Sequence, residues 1–270
     1  MSVNKNIAKL AQEALVSLYG ANLIADGKWG PKSETAMRKL YLKEGSSSPN
    51  DASDIKSKIQ SIVNIFETGT PTGNYADISI YDDGPSGIKQ TTFGRSGSTE
   101  FSTLKYLVEM YAEEDGLYSD EFKSYVGRVG CKPSLYNDSD FINLLKKSGS
   151  DPVMKATQDK FFDQRYWDVA KSFFDKNGFE QPLSMLVIFD SVIHGGLAIV
   201  RKKFSEKPPV SGGDEKRWVS DYTHSRYNWL KYHPRTILRN TAKRPKFYKS
   251  LIESGNWGLD KEIKLQGFSL

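Results

Sequence analysis

The sequence predicts a mainly helical α+β chain: a small helical N-terminal module, then a larger, two-lobed helical domain carrying one small antiparallel β-sheet. Three observations predict this. Most of the 270 residues fall in stretches where apolar side chains recur every three or four positions, the helical period. Only Asn74 to Gly94 alternates with a period of two, on either side of a Gly-Pro turn. One Ser-rich stretch, "EGSSSPNDAS" (residues 44–53), holds no apolar residue larger than Ala and separates the two parts. The boundaries are then 1–45 for the module, 46–53 for the linker and 54–270 for the large domain.

Within the module, "IAKLAQEALVSLYG" places Ile7, Leu10, Ala11, Ala14, Leu15 and Leu18 on one helical face, and Gly20 can stop the helix. Asp26-Gly27 makes a turn, Pro31 can open a helix, and "SETAMRKLYL" supplies a second amphipathic helix with Ala36, Leu40 and Leu42 or Met37 inward. So small a core needs Trp29 as its plug. The large domain opens with "SDIKSKIQSIVNIFE", capped at Ser53, with Ile55, Ile59, Ile62, Val63 and Phe66 inward. Glu67 falls at or just past the end of that helix. The negative end of the helix dipole and apolar Ile65 and Phe66 beside it disfavour the carboxylate, as a general acid requires. "NYADISIYDDG" follows as a strand with Tyr75, Asp77, Ser79 and Tyr81 on one face. "DDGPSG" is a turn and "IKQTTFG" a second strand. The remainder reads as helices: "STEFSTLKYLVEMYAEE", "SDFINLLKKS", "VMKATQDKFFDQRYWDVAKSFFDKNG", "QPLSMLVIFDSVIHGG", "RYNWLKYHPRTILRN" and "PKFYKSLIESG".

Composition narrows the function. The net charge of +5 is uneven: +3 over residues 1–45, −5 over 46–150 and +7 over 151–270. The basic residues form no long run, so a nucleic-acid arm is not indicated and no nucleic-acid partner is expected. No apolar run approaches the roughly 18 residues that span a bilayer, so no stable membrane insertion is expected. Cys131, the single cysteine, excludes an internal disulfide and reads as a small buried hydrophobe. His194, His224 and His233 have no metal-ligand spacing, and no phosphate-binding glycine loop occurs. The expectation is a monomer with no metal and no cofactor.

Two resemblances give these patterns a meaning. "ADGKWGPKSETAMRKL" is similar to the three-helix peptidoglycan-binding module of many wall hydrolases, through Asp26, Gly27, Trp29, Gly30, Pro31, Thr35 and Ala36. It implies wall binding, with Asp26 and Trp29 as the module's site residues. Residues of about 55–265 resemble the lysozyme-like superfamily, and more narrowly the family 46 chitosanases and their relatives among peptidoglycan hydrolases. The resemblance is carried by "FETGTPTGNYADISIYDDGPSGIKQTTFG", "ATQDKFFDQRYWDVAKSFFDKNGFEQPLSMLVIFDSVIHGG" and "RYNWLKYHP…GNWGLD".

The resemblance implies that Glu67 is the general acid and Asp83 the general base, with Thr91 or Thr92 orienting the attacking water. Asp82 and Asp77 stay as rivals for the base, and Tyr75 and Tyr81 are the candidate substrate-binding aromatics. Asp190 matches a buried aspartate that needs arginine partners, here Arg226 and Arg239. The family's D-G-R-G is replaced by Asp83-Gly84-Pro85-Ser86-Gly87, which lacks the arginine, and His194 takes the helix end. Together the resemblances imply a phage endolysin of the muramidase type. It would cut β-1,4 bonds of bacterial peptidoglycan with inversion, and would wait in the cytoplasm of an infected bacterium until lysis gives it the cell wall. "MSVNKNIAKLAQEALVSLYG" has no signal-peptide core, which fits that location. A chitosanase acting on glucosamine polymers and a non-catalytic wall-binding protein are the alternatives.

Overall fold

The structure, a computed structural model, describes residues 12, 16, 22–28, 32–33 and 52–270. Helix α1 (Ala52–Thr68) leads into a three-stranded antiparallel sheet of β1 (Ile78–Tyr81), β2 (Gln90–Phe93) and β3 (Ser98–Thr99). Tyr81 lies opposite Gln90, and Thr92 opposite Thr99. Then follow α2 (Lys105–Glu113), α3 (Ser119–Lys123), α4 (Ser139–Ser148), α5 (Pro152–Phe162), α6 (Asp168–Lys176), α7 (Pro182–Ile193), α8 (Leu197–Arg201), α9 (Glu215–Lys231), α10 (Thr236–Arg239) and α11 (Lys243–Glu253). A two-stranded ribbon, β4 (Lys264–Leu265) and β5 (Phe268–Ser269), ends the chain. This is the mainly helical α+β arrangement that the periodicity predicts. Among the described residues, no helix is long and apolar enough to cross a membrane.

Two apolar clusters define two lobes. The larger surrounds α7, whose residues from Leu183 to Ser191 are all buried because they are apolar nearly all round; α1, α6, α9 and α11 pack about it. The smaller gathers Phe93 of β2 with Leu107, Tyr111, Phe122, Phe141, Leu145 and Met154 from α2 to α5. Sequence-local chemistry sets the helix starts. Asp138 accepts from Phe141 N at 3.0 Å, Asp151 from Val153 N at 3.1 Å with Pro152 next, and Asp214 from Arg217 N at 2.7 Å.

Some expectations need correction. The first strand is shorter than its alternation suggests. Tyr75 and Asp77 precede it in a turn where Asn74 Oδ1 accepts from Ala76 N at 3.2 Å, a local bond that competes with strand pairing. The long helix expected from Val153 to Gly178 is helical without a gap over residues 152–176, but it widens into a π-turn over Asp163–Trp167 between α5 and α6. Cys131 is exposed rather than buried, its Sγ bonded to Gly127 O at 3.2 Å. Short helices α3 and α8 carry no periodic signal in the sequence, since five residues are too few to show one.

In the N-terminal region, Gln12 (1% exposed) organises the loop before Trp29. Its amide donates to Lys28 O and Ser33 Oγ, both at 2.9 Å, and its Oε1 accepts from Gly27 N at 2.8 Å. Asp26 is exposed, and its carboxyl is held below the ordinary value, chiefly by the Lys28 backbone N–H at 2.8 Å. Trp29, Pro31, Thr35 and the inward positions Ala36, Met37, Leu40 and Leu42 lie outside the described residues.

Candidate active site

Glu67 sits in the last turn of α1, with its side chain 39% exposed. The helix's buried residues Ile59, Ile62 and Val63 pin the apolar face, which leaves Glu67 on the solvent side. Its Oε1 accepts from Arg244 at 2.6 Å. Arg244, at the start of α11, is itself nearly sealed (3% exposed), and its Nε donates to Asp190 Oδ1 at 2.8 Å. Asp190 has no exposed surface, and its Oδ2 faces Arg226 of α9 at 3.4 Å. Arg226 continues to Gly195 O at 2.9 Å and to His194 Nδ1 at 3.1 Å.

Two carboxylates and two guanidiniums therefore alternate, Glu67–Arg244–Asp190–Arg226, and their charges balance. Burial alone would push the Arg244 guanidinium down. Asp190, Tyr248 and Glu67 outweigh it and hold its pKa above the ordinary value. His194 shows the converse. Burial, then Arg244, then Arg226 push it down to about 4, because a third cation in this corner would face two already fixed. At neutral pH it is an uncharged hydrogen-bonding group at the end of α7.

The second carboxylate comes from the sheet. Asp83 follows β1 in the turn, exposed, and its Oδ1 accepts from Gln90 Nε2 at 2.8 Å. Asp82 is exposed beside it. Asp77, also exposed, lies at the opposite end of β1 and meets Asn74 Nδ2 at 3.4 Å. Asp77 and Asp83 therefore stand at opposite ends of the four-residue β1.

Other site residues are distributed less simply. Arg226 is the expected partner of Asp190, but Arg239 is not. Arg239 is exposed and donates to His233 O and Pro234 O, both at 2.9 Å. Arg244 takes that place, because the chain turns through α10 before α11 brings residue 244 back onto α7. Thr91 is fully buried, which does not suit direct contact with the attacking water; Thr92 is partly buried, and both hydroxyls are covered without a hydrogen-bond partner among the described residues. Tyr81 is 56% exposed at the end of β1 and free to meet a ligand. Tyr75 is engaged otherwise. Its hydroxyl donates to Asp159 at 2.8 Å, Arg95 pairs with the same carboxylate, and burial chiefly pushes that hydroxyl well above its ordinary value.

Sequence reasoning missed three groups. Arg244 had a signal, since a buried Asp190 demands arginines and few lie near it in the last third. Gln90 and Glu100 had none. Glu100, fully buried, accepts from Ser134 Oγ at 2.6 Å, Leu135 N at 2.7 Å and Thr91 N at 3.3 Å, and so ties β2 to a loop more than thirty residues on. Arg95 N donates to Gln158 Oε1 at 3.0 Å. The close approach there requires Gly94, whose φ is +77° and whose Cβ would lie 2.3 Å from that oxygen.

The Glycosyl hydrolase family 46 profile matches residues 61–263 and so spans every residue of the network and the sheet. A chitosanase from Bacillus subtilis (strain 168) is 25% identical over 233 residues, covering 79% of this chain and 82% of the relative. The crystal structure of native chitosanase from Bacillus subtilis MY002 superposes with a TM-score of 0.63 at 26% identity, over 81% of this chain and 99% of that one. The GH46 chitosanase of Gynuella sunshinyii, in complex with chitotetraose, shares the fold with a TM-score of 0.62 at 21% identity, over 80% and 96% of the two chains.

Proposed function

This chain belongs to glycosyl hydrolase family 46, and from that premise we propose that it cleaves β-1,4-linked glucosamine polymers of the chitosan type, with Glu67 as general acid and Asp83 as general base. It is a glycosidase of lysozyme-like fold. The reading is supported by two carboxylates that both fall inside the matched region: Glu67 at the end of α1, held on one oxygen by buried Arg244 at 2.6 Å, and Asp83 in the sheet turn, held on one oxygen by Gln90 at 2.8 Å.

The chemistry follows from two carboxyl groups. Glu67 donates its proton to the glycosidic oxygen as the C1–O bond breaks. Asp83 takes a proton from water, whose oxygen bonds to C1 from the opposite face. The anomeric centre inverts, which calls for a carboxyl separation of about 6.5–9.5 Å. Arg244 fixes Glu67 Oε1 and leaves Oε2 to carry the proton. A glucosamine polymer is cationic, and the segment bearing the catalytic turn carries −5 over residues 46–150, with Asp77, Asp82 and Asp83 all exposed.

This reading replaces the peptidoglycan muramidase as the first choice, because the relatives are chitosanases. A second reading keeps a wall glycan as substrate. Its support is the "ADGKWGP" motif in residues 25–31, which precedes the matched region. The discriminating experiment incubates the full chain with fully deacetylated chitohexaose and, separately, with purified peptidoglycan, and identifies the products by mass spectrometry. Shorter glucosamine oligomers support the first reading; muropeptide release without chitohexaose cleavage supports the second. Glu67→Gln, which keeps the shape but has no proton to give, should lower kcat by about 100-fold or more. A loss under tenfold would remove Glu67 as the acid.

A further inference from the structure

We propose that Gln90 is the positioning residue for Asp83: its buried carboxamide clamps one oxygen of that carboxylate and leaves the other free for the attacking water. The proposal rests on Asp83 being the general base.

The geometry is directional. Gln90 opens β2 opposite Tyr81, and only 5% of it is exposed. Its Oε1 accepts from Phe101 N at 3.1 Å. A backbone N–H can only donate, so that end of the amide is the oxygen and the other end must be NH2. The NH2 donates to Asp83 Oδ1 at 2.8 Å. The amide cannot flip without opposing two donors at Phe101 N and two acceptors at Asp83. Phe101 is held in turn, since it follows Glu100, whose carboxylate is anchored by Ser134, Leu135 and Thr91.

The backbone beside Asp83 is fixed as well. Gly84 N donates to Ile88 O at 3.0 Å, and a Cβ on Gly84 would fall 2.5 Å from that oxygen. Asp83 therefore hangs from a closed turn, and its exposed carboxylate is steered by a buried partner. Among the described residues, the Asp77 carboxylate has only a 3.4 Å contact with exposed Asn74. The residue type also matters. A lysine or arginine at position 90 would neutralise a base, and a glutamate would oppose it, whereas a neutral amide orients the carboxylate and leaves its charge available.

The test uses the full-length protein and chitohexaose, with kcat, KM and the pH profile as readouts. Gln90→Leu should lower kcat about 10- to 100-fold, as a misplaced catalytic group does, with KM within about twofold. The same change in an Asp83→Ala background should cost nothing further, including in the rate that added azide restores. Gln90→Glu keeps the acceptor for Phe101 N, so the sheet stays intact even if the leucine variant does not fold. It sets a second carboxylate against Asp83, and the acid limb of kcat/KM should move up by roughly one pH unit relative to wild type. If Asp83→Ala is inactive while the folded Gln90 variants keep kcat within threefold and leave the acid limb in place, the clamp is refuted and Asp83 stands as the base. If Asp83→Ala keeps a tenth of the activity or more, the base assignment falls and the clamp with it.

Discussion

Replacing Arg244 by Met removes one guanidinium from a balanced set of four charges. Asp190, with no exposed surface, then keeps Arg226 at 3.4 Å as its one cationic partner among the described residues and loses the 2.8 Å bond from Arg244 Nε. Breaking one side of a buried pair costs about 3–5 kcal/mol, because the charge left behind is unsolvated. The bond to Glu67 adds little to stability, since that carboxylate is 39% exposed and such pairs contribute about 0–1 kcal/mol. The guanidinium also lies 5.3 Å from the Phe66 ring, a contact that the methionine chain partly replaces. The expected loss is therefore about 3–5 kcal/mol. For a domain of this size that is a fall in Tm of about 6–20 °C. Urea unfolding at pH 7, followed by tryptophan fluorescence, measures it. Arg244→Lys should lose less, because an ammonium keeps the charge but cannot span both carboxylates as the guanidinium does. Chitohexaose cleavage should fall in both variants, since Glu67 loses its anchor. A loss below about 1 kcal/mol for Arg244→Met, at unchanged m-value, would refute the argument that Asp190 depends on this arginine.

Other consequences can be measured alongside. His194 is pushed down to about 4 in the folded chain against 6.5 unfolded, so between those values the unfolded chain binds more protons. Its contribution to stability is complete above pH 6.5 and disappears as pH falls through 4; it amounts to about 2–3 kcal/mol at most, the side chain being partly exposed. Urea midpoints at pH 7 and pH 4.5 should differ less in His194→Gln than in wild type, and an equal difference would place the acid lability elsewhere. NMR of the His194 imidazole should show its titration moving up in Arg244→Met, because one of the cations that depress it is gone. Glu100→Gln should cost about 1.5–3 kcal/mol by thermal melt, since a neutral amide oxygen replaces a carboxylate that accepts three bonds. Removing residues 1–45 should lower activity on insoluble walls or polymer far more than on chitohexaose, because a binding module supplies local concentration rather than chemistry. An equal loss on both substrates would make that region part of the catalytic fold.

What the sequence determined by itself were the local features. The period of three to four residues in "SDIKSKIQSIVNIFE" and "SDFINLLKKS", and the turn "DDGPSG" between alternating runs, were legible because each depends on neighbours in the chain. Glu67 at the end of a helix and Asp83 at a turn could be located for the same reason, and Asp190 announced itself as a charge inside an apolar helix that must be paired. One of its partners, Arg226, was named from the resemblance and is found there. The other was not legible: Arg239 was named with it, and only the packing of α11 against α7 selects Arg244. Gln90 and Glu100 are polar residues whose roles are made wholly by distant groups, at Asp83 and Phe101 for one and at Ser134 and Leu135 for the other. Cys131 misled because a lone cysteine is usually buried, and its exposure is set by the loop before α4 rather than by its own chemistry. Period and capping act over a turn or two of chain, whereas the pairing of buried charges is chosen by which elements pack together, and that is decided only when the two lobes close on their cores.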